Sequence, residues 1–144
     1  MCKAVCHITT AVRSKSGLTD MFCTVGMEVN FYYDGENIVI NDEFIANPGH
    51  FLSRFEPDCD CDWITFEHFE YVISYGLFAS CVTSVLKHNS TRSIVIQDYS
   101  GAIVFITVNK EGDRIRVSYE DKQEVYSSYI EAIRGIRDKY YTIV

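Results

Sequence analysis

The stretch from Met27 to Ile40 constrains the fold more than any other part of the chain. Met27, Val29, Phe31 and Tyr33 alternate with Glu28, Asn30 and Tyr32, the two-residue period of a strand with one buried face. Ile38-Val39-Ile40 follows after Asp34-Gly35-Glu36-Asn37. Asp-Gly between two such runs is a hairpin signal, because glycine takes a positive φ at little steric cost. The stretch therefore commits the fold to antiparallel pairing.

The flanks extend this pattern. Residues 4–12 (AVCHITTAV) are rich in β-branched residues and are predicted as a first strand. Ser14–Asp20 reads as a polar connection, and Met21–Val25 as a second short strand interrupted at Gly26. Asn47-Pro48-Gly49 marks a turn, with a helical turn over Gly49–Phe55. Glu56–Asp62 (EPDCDCD) is polar enough to be an exposed acidic loop. Thr65 then fits a helix N-cap, with Glu67 placed to favour the helix dipole. Phe66, Phe69, Val72, Ile73, Leu77, Cys81, Val85 and Leu86 follow helical spacing and predict a helix over 65–87. Gly76 and the β-branched residues beyond it leave open a shorter helix followed by a strand.

Near the C-terminus, Ile94–Gln97, Ala102–Val108 and Arg114–Tyr119 are β-rich runs joined by short turn-like links, which predict an antiparallel meander. A helix over residues 123–140 is predicted from the stripe Val125, Tyr129, Ile133, Ile136 and Tyr140, with Glu131, Arg134, Asp138 and Lys139 off that face. At 144 residues and 47% hydrophobic content, with two prolines, the chain is long and apolar enough to bury a core. The expectation is one α+β domain spanning 1–144, its antiparallel, meander-rich sheet covered by the two main helices.

Charge is unevenly spread. Glu28, Asp34, Glu36, Asp42, Glu43, Glu56, Asp58, Asp60, Asp62, Glu67 and Glu70 face a single cation, Arg54, within residues 28–70. That stretch carries −10 in a chain of net −7, which leaves +3 elsewhere. Nine aromatics, including Tyr32, Tyr33 and Trp63, lie in the same stretch. An acidic, aromatic surface suits a basic protein and repels nucleic acid. Tyr and Trp favour interfaces because each buries a large apolar body while keeping a polar end. Tyr32 and Tyr33 cannot both face inward on one strand, so at least one is expected on the outer face.

Chemistry-bearing motifs are sparse. Cys59-Asp60-Cys61-Asp62 with His68 downstream offers soft ligands, and His7 or His50 could add a fourth from a distance. Structural zinc sites, however, space each ligand pair by two to four residues, where one residue separates these thiols. No glycine-rich phosphate loop occurs, and no cysteine sits in a local nucleophile pattern. Arg114 and Arg116 on one strand face, with Lys110 nearby, are balanced by Asp98, Glu111 and Asp113. The opening residues lack a signal-peptide core, and no segment reaches the length of a membrane span. A cytoplasmic protein with six reduced cysteines follows as the expectation.

In size, acidity and composition along its whole length, the chain resembles the small immunity proteins that bacteria carry against toxins, such as those of contact-dependent growth inhibition. No family motif carries the resemblance, so no family residues are transferred. It implies a non-enzymatic, cofactor-free binding protein whose partner is a basic, nuclease-type toxin domain, with neither nucleic acid nor membrane bound directly. The residues expected to bind that partner are Tyr32, Tyr33, Asp34, Glu36, Asp42, Glu43, Asp58, Asp60, Asp62, Trp63 and Glu67. Two alternatives stand beside it. One is a small enzyme, ligand-binding or metal-binding domain using Cys59, Cys61 and His68. The other is a phage-encoded inhibitor of a nucleic-acid-handling complex.

Overall fold

The computed structural model describes residues 2–59, 61–73, 82–88, 91–97, 100–119 and 121–140. The chain is α+β, and among the described residues every strand pairing is antiparallel. It divides into two compact units, Met1–Trp63 and Ile64–Val144.

The β-branched run at residues 4–12 is split between two strands, β1 (Cys2–Cys6) and β2 (Thr10–Ser14). The break falls at His7 and Ile8, whose amides both donate to the Arg54 carbonyl instead of continuing a ladder. β3 (Asp20–Cys23), β4 (Glu28–Tyr33), β5 (Ile38–Ile40), β6 (Phe44–Ala46) and β7 (Phe55–Pro57) complete a sheet of order β3-β2-β6-β5-β4-β1-β7. The β4–β5 hairpin forms as expected, with Tyr33 opposite Ile38 and Gly35 at φ 101°. Val29 and Phe31 point into the core while Glu28, Asn30 and Tyr32 face out. In the next turn Asn41 and Asp42 both take positive φ, a conformation that Asn and Asp tolerate best among residues with a side chain.

Between β6 and β7, helix α1 (Pro48–Arg54) starts where Asn47 Oδ1 accepts from the Gly49 amide at 2.9 Å and proline occupies the first turn. It ends at Phe55, which turns extended and enters β7. α1 and β7 bring three rings together. Phe51 lies 4.7 Å from Phe31 and 5.0 Å from Phe55, centroid to centroid, and all three are buried. Glu56–Asp62 is therefore not simply an exposed loop. Its first two residues belong to β7, paired with β1, and Cys61 is buried. The acidic string conceals a strand because its alternate residues, Phe55 and Pro57, supply the buried face.

In the second unit Thr65 caps α2 (Phe66–Tyr71), and His68 completes a capping box by accepting from the Thr65 amide at 3.3 Å. Phe69, Val72 and Ile73 are buried as the helical stripe predicts. Of the two readings left open over 65–87, the continuous helix does not form and a strand follows a shorter helix: residues 74–81 lie outside the described residues, and Val82–His88 is strand β8. Val82, Thr83 and Val85 are β-branched and favour a strand over a helix interior, and the segment pairs with β9 (Thr91–Gln97). β10 (Ile103–Glu111), β11 (Arg114–Tyr119) and β12 (Lys122–Tyr126) continue the meander in sequence order. At the β10–β11 turn Glu111 pairs with Arg114, and Gly112 takes φ 58°.

The helix expected from residue 123 begins later, as α3 (Tyr129–Tyr140). Residues 122–126 pair with β11 instead, which leaves Val125 half exposed on a strand and outside the stripe. Tyr129, Ile133 and Ile136 are buried as predicted, joined by Ile130 and Ala132. The Tyr140 side chain lies outside the described residues. The start of α3 is fixed by serines. Ser128 Oγ accepts from the Glu131 amide at 3.2 Å, and the Glu131 carboxylate accepts from the Ser127 amide at 3.1 Å and hydroxyl at 2.6 Å. These bonds hold Glu131 below the usual carboxylate range. Ser128→Ala is expected to cost about 1 kcal/mol of stability in denaturant unfolding, with Ser128→Asp restoring most of it. At its other end Lys139 Nζ donates to the Tyr119 hydroxyl at 2.9 Å and lies 3.7 Å from Glu124.

Candidate functional site

The acidity belongs mostly to the first unit. Residues 1–63 hold four cations against ten carboxylates, net −6, and residues 64–144 hold nine against ten, net −1. Within the first unit, the β1 registers set up a row of residues. Cys2 pairs with Phe31 of β4 on one side. On the other, Ala4 pairs with Pro57, and extending that ladder two residues sets Cys2 opposite Cys59. The two sulfurs form a disulfide with Cα atoms 6.1 Å apart, the separation such cross-strand neighbours offer. The ladder is held there by the Asp58 amide on the Lys3 carbonyl at 2.9 Å and the Lys3 amide on Asp58 Oδ1 at 3.2 Å.

The expectation of six reduced cysteines is thereby corrected. It rested on compartment and local spacing, and neither reports a pairing across 57 residues. Cys6, Cys23 and Cys61 are buried outside the disulfide, and burial pushes the Cys6 and Cys23 thiols up. Cys81 lies outside the described residues.

Two residues along β4 from Phe31, the Tyr33 ring stacks on Trp63 at 4.9 Å between centroids and 20° between planes. The Tyr33 hydroxyl donates to the Gly35 carbonyl at 2.8 Å, tying the stack to the hairpin turn. Beside it lies a pocket of about 390 Å³ lined by Cys2, Phe31, Tyr32, Tyr33, Cys59, Cys61, Asp62 and Trp63. Phe31 and Cys61 are buried in its wall, whereas Tyr32 is 39% exposed. Tyr32 on the outer face with Tyr33 turned inward is the division the strand period required.

Four of the residues predicted to bind a partner thus come together: Tyr32, Tyr33, Asp62 and Trp63. Asp34 and Glu36 adjoin them on the hairpin turn, but Asp34 has a structural task. Its Oδ1 accepts from the Glu36 amide at 2.8 Å and the Asn37 amide at 2.7 Å. Asp58 braces the β1 end, and Asp42 and Glu43 occupy the turn at the other end of β5. Glu67 sits in the first turn of α2, in the second unit. Asp60 lies outside the described residues. The sequence reading missed Cys2 and Phe31 as walls of the pocket and named Cys59 and Cys61 only for the enzyme, ligand-binding or metal-binding alternative, because the meeting of all four with Tyr33 and Trp63 depends on strand register.

The residues considered for metal or nucleophilic chemistry have other partners. Cys59 is in the disulfide, Cys61 Sγ donates to the Cys59 carbonyl at 3.6 Å, and His68 serves the α2 cap. His50 Nε2 lies 3.4 Å from Thr10 Oγ1, and burial, aided by Arg54, lowers its pKa. Among the described residues no group of three or more His, Cys, Asp or Glu is placed to hold a metal ion, and no helix is long and apolar enough to cross a membrane.

The Asp34 turn makes a prediction in acid. Hydrogen bonds from the Asn37 and Glu36 amides hold its carboxyl below the ordinary aspartate value. A depressed carboxyl stabilises the fold above its unfolded pKa of about 3.9, and that stabilisation disappears as pH falls through the lower folded value. The Asp34 carboxyl carbon should therefore titrate below the unfolded reference by NMR, and Asp34→Ala should flatten the acid limb of the stability curve. A normal midpoint would mean that the two amides bind it no better than water.

No protein-family model, curated protein or solved structure matches the chain.

Proposed function

We propose that the chain is a non-enzymatic immunity-type protein that neutralises a basic, nuclease-type toxin domain by stoichiometric binding through its acidic first unit. The observation that carries this reading is the concentration of −6 in the unit that also presents the Tyr33–Trp63 stack and its pocket. Like charges gathered on one unit repel, and a cationic partner relieves that repulsion. The aromatic pair supplies the apolar anchor that an interface centre needs, with the exposed carboxylates at its rim.

The test begins with affinity capture from the source cell and identification of a basic protein whose toxic activity is lost at one equivalent of this chain. Glu36→Lys with Glu43→Lys should then slow association and weaken its salt dependence, since both side chains are exposed and neither holds a turn. Trp63→Ala should instead speed dissociation, at a cost of about 2 kcal/mol or more. Wild-type association by the charge-reversed protein across a range of salt would reduce the acidic surface to a solubility coat.

A further inference from the structure

We infer that the pocket beside the Tyr33–Trp63 stack is a receptor for one arginine side chain. This rests on the binding reading above and names the anchor that a basic partner would insert. The pocket is lined by the aromatic residues Phe31, Tyr33 and Trp63 and by the Cys2–Cys59 disulfide, with Tyr32 at its edge; among the described residues Asp62 is its carboxylate and no cation lines it.

Ring faces carry negative electrostatic potential, so a cation gains from lying over them. A guanidinium is planar and weakly hydrated, can extend the stack that Tyr33 and Trp63 already form, and keeps N–H groups in its plane for Asp62. A lysine ammonium is compact and strongly hydrated, and loses more water for the same contact. An anion would meet Asp62 within a unit of net −6. The volume of about 390 Å³ is at the small end of ligand pockets and fits a side chain better than a folded element.

Trp63 is the chain's single tryptophan, so its fluorescence reports directly on this pocket. The full chain is titrated with Nα-acetyl-L-arginine amide, and separately with its neutral citrulline counterpart, at constant ionic strength. The arginine probe should give a saturable change, with citrulline about tenfold weaker. Asp62→Asn, an exposed and isosteric change, should weaken the arginine probe severalfold and leave citrulline unaffected. Equal binding of the two probes, or no saturable response up to about 0.1 M, overturns the inference. If the probe fails while Glu36→Lys with Glu43→Lys still slows capture of the partner, the arginine site falls and the binding reading survives. If the probe binds but the charge-reversed protein associates at the wild-type rate, the electrostatic binding reading falls and the pocket assignment stands.

Discussion

Replacing Phe51 by alanine is expected to cost about 3–5 kcal/mol, the range for emptying a buried aromatic position. Phe51 is fully buried on α1, and its ring is the middle member of a three-ring cluster, between Phe31 of β4 and Phe55 at the start of β7. Removing it leaves both neighbours facing a void that the sheet cannot close, because β4 and β7 are held by separate ladders to β1. Phe22 on the edge strand β3 provides the control. It is 68% exposed, and Phe22→Ala should stay within about 0.5 kcal/mol. Denaturant unfolding followed by Trp63 fluorescence measures both. Similar losses at the two positions would show that the Phe31–Phe51–Phe55 cluster does not organise the first unit.

The second large effect belongs to the Cys2–Cys59 bond. It closes a loop of 57 residues that takes in most of the first unit, and chain-entropy arguments give such a closure about 4 kcal/mol. Reduction, or Cys2→Ser with Cys59→Ser, should lower the unfolding free energy of the first unit by that order. Because both cysteines wall the pocket, the same change should also alter Trp63 emission in the folded protein. Proteolysis of unreduced protein should release a peptide pair joining Cys2 to Cys59. Six titratable thiols in the unfolded, unreduced chain would remove the bond and restore the original expectation.

How far the sequence could be read follows the range of the interaction concerned. The β4–β5 hairpin, the Thr65 cap of α2 and the buried stripe Tyr129, Ile133 and Ile136 depend on residues a few positions apart, and each was legible. The errors fell where propensity and pairing disagreed. Val125 has helical spacing to Tyr129, yet the ladder to β11 claims it for β12. The 82–88 segment, left open in the sequence between helix and strand, continues an apolar helical stripe, yet its partner is β9. In both cases a neighbouring strand offers backbone hydrogen bonds that local periodicity does not register.

For the site, the sequence by itself determined the inventory: the acidic stretch, its aromatics, and the division of Tyr32 and Tyr33 between two faces, which alternation along one strand dictates. Only the tertiary structure decided which of them meet. Cys2 lies between Phe31 and Cys59 because β1 pairs with both β4 and β7, and the pocket exists because Trp63 returns to stack on Tyr33, thirty residues earlier in the chain. It also separated carboxylates with structural tasks, such as Asp34 and Asp58, from Glu36 and Asp62, whose side chains face solvent. The physical reason is that charge and hydropathy are properties of single residues, whereas register is a choice among long-range pairings whose loop-closure cost rises only slowly with separation. That choice is made by the whole core at once.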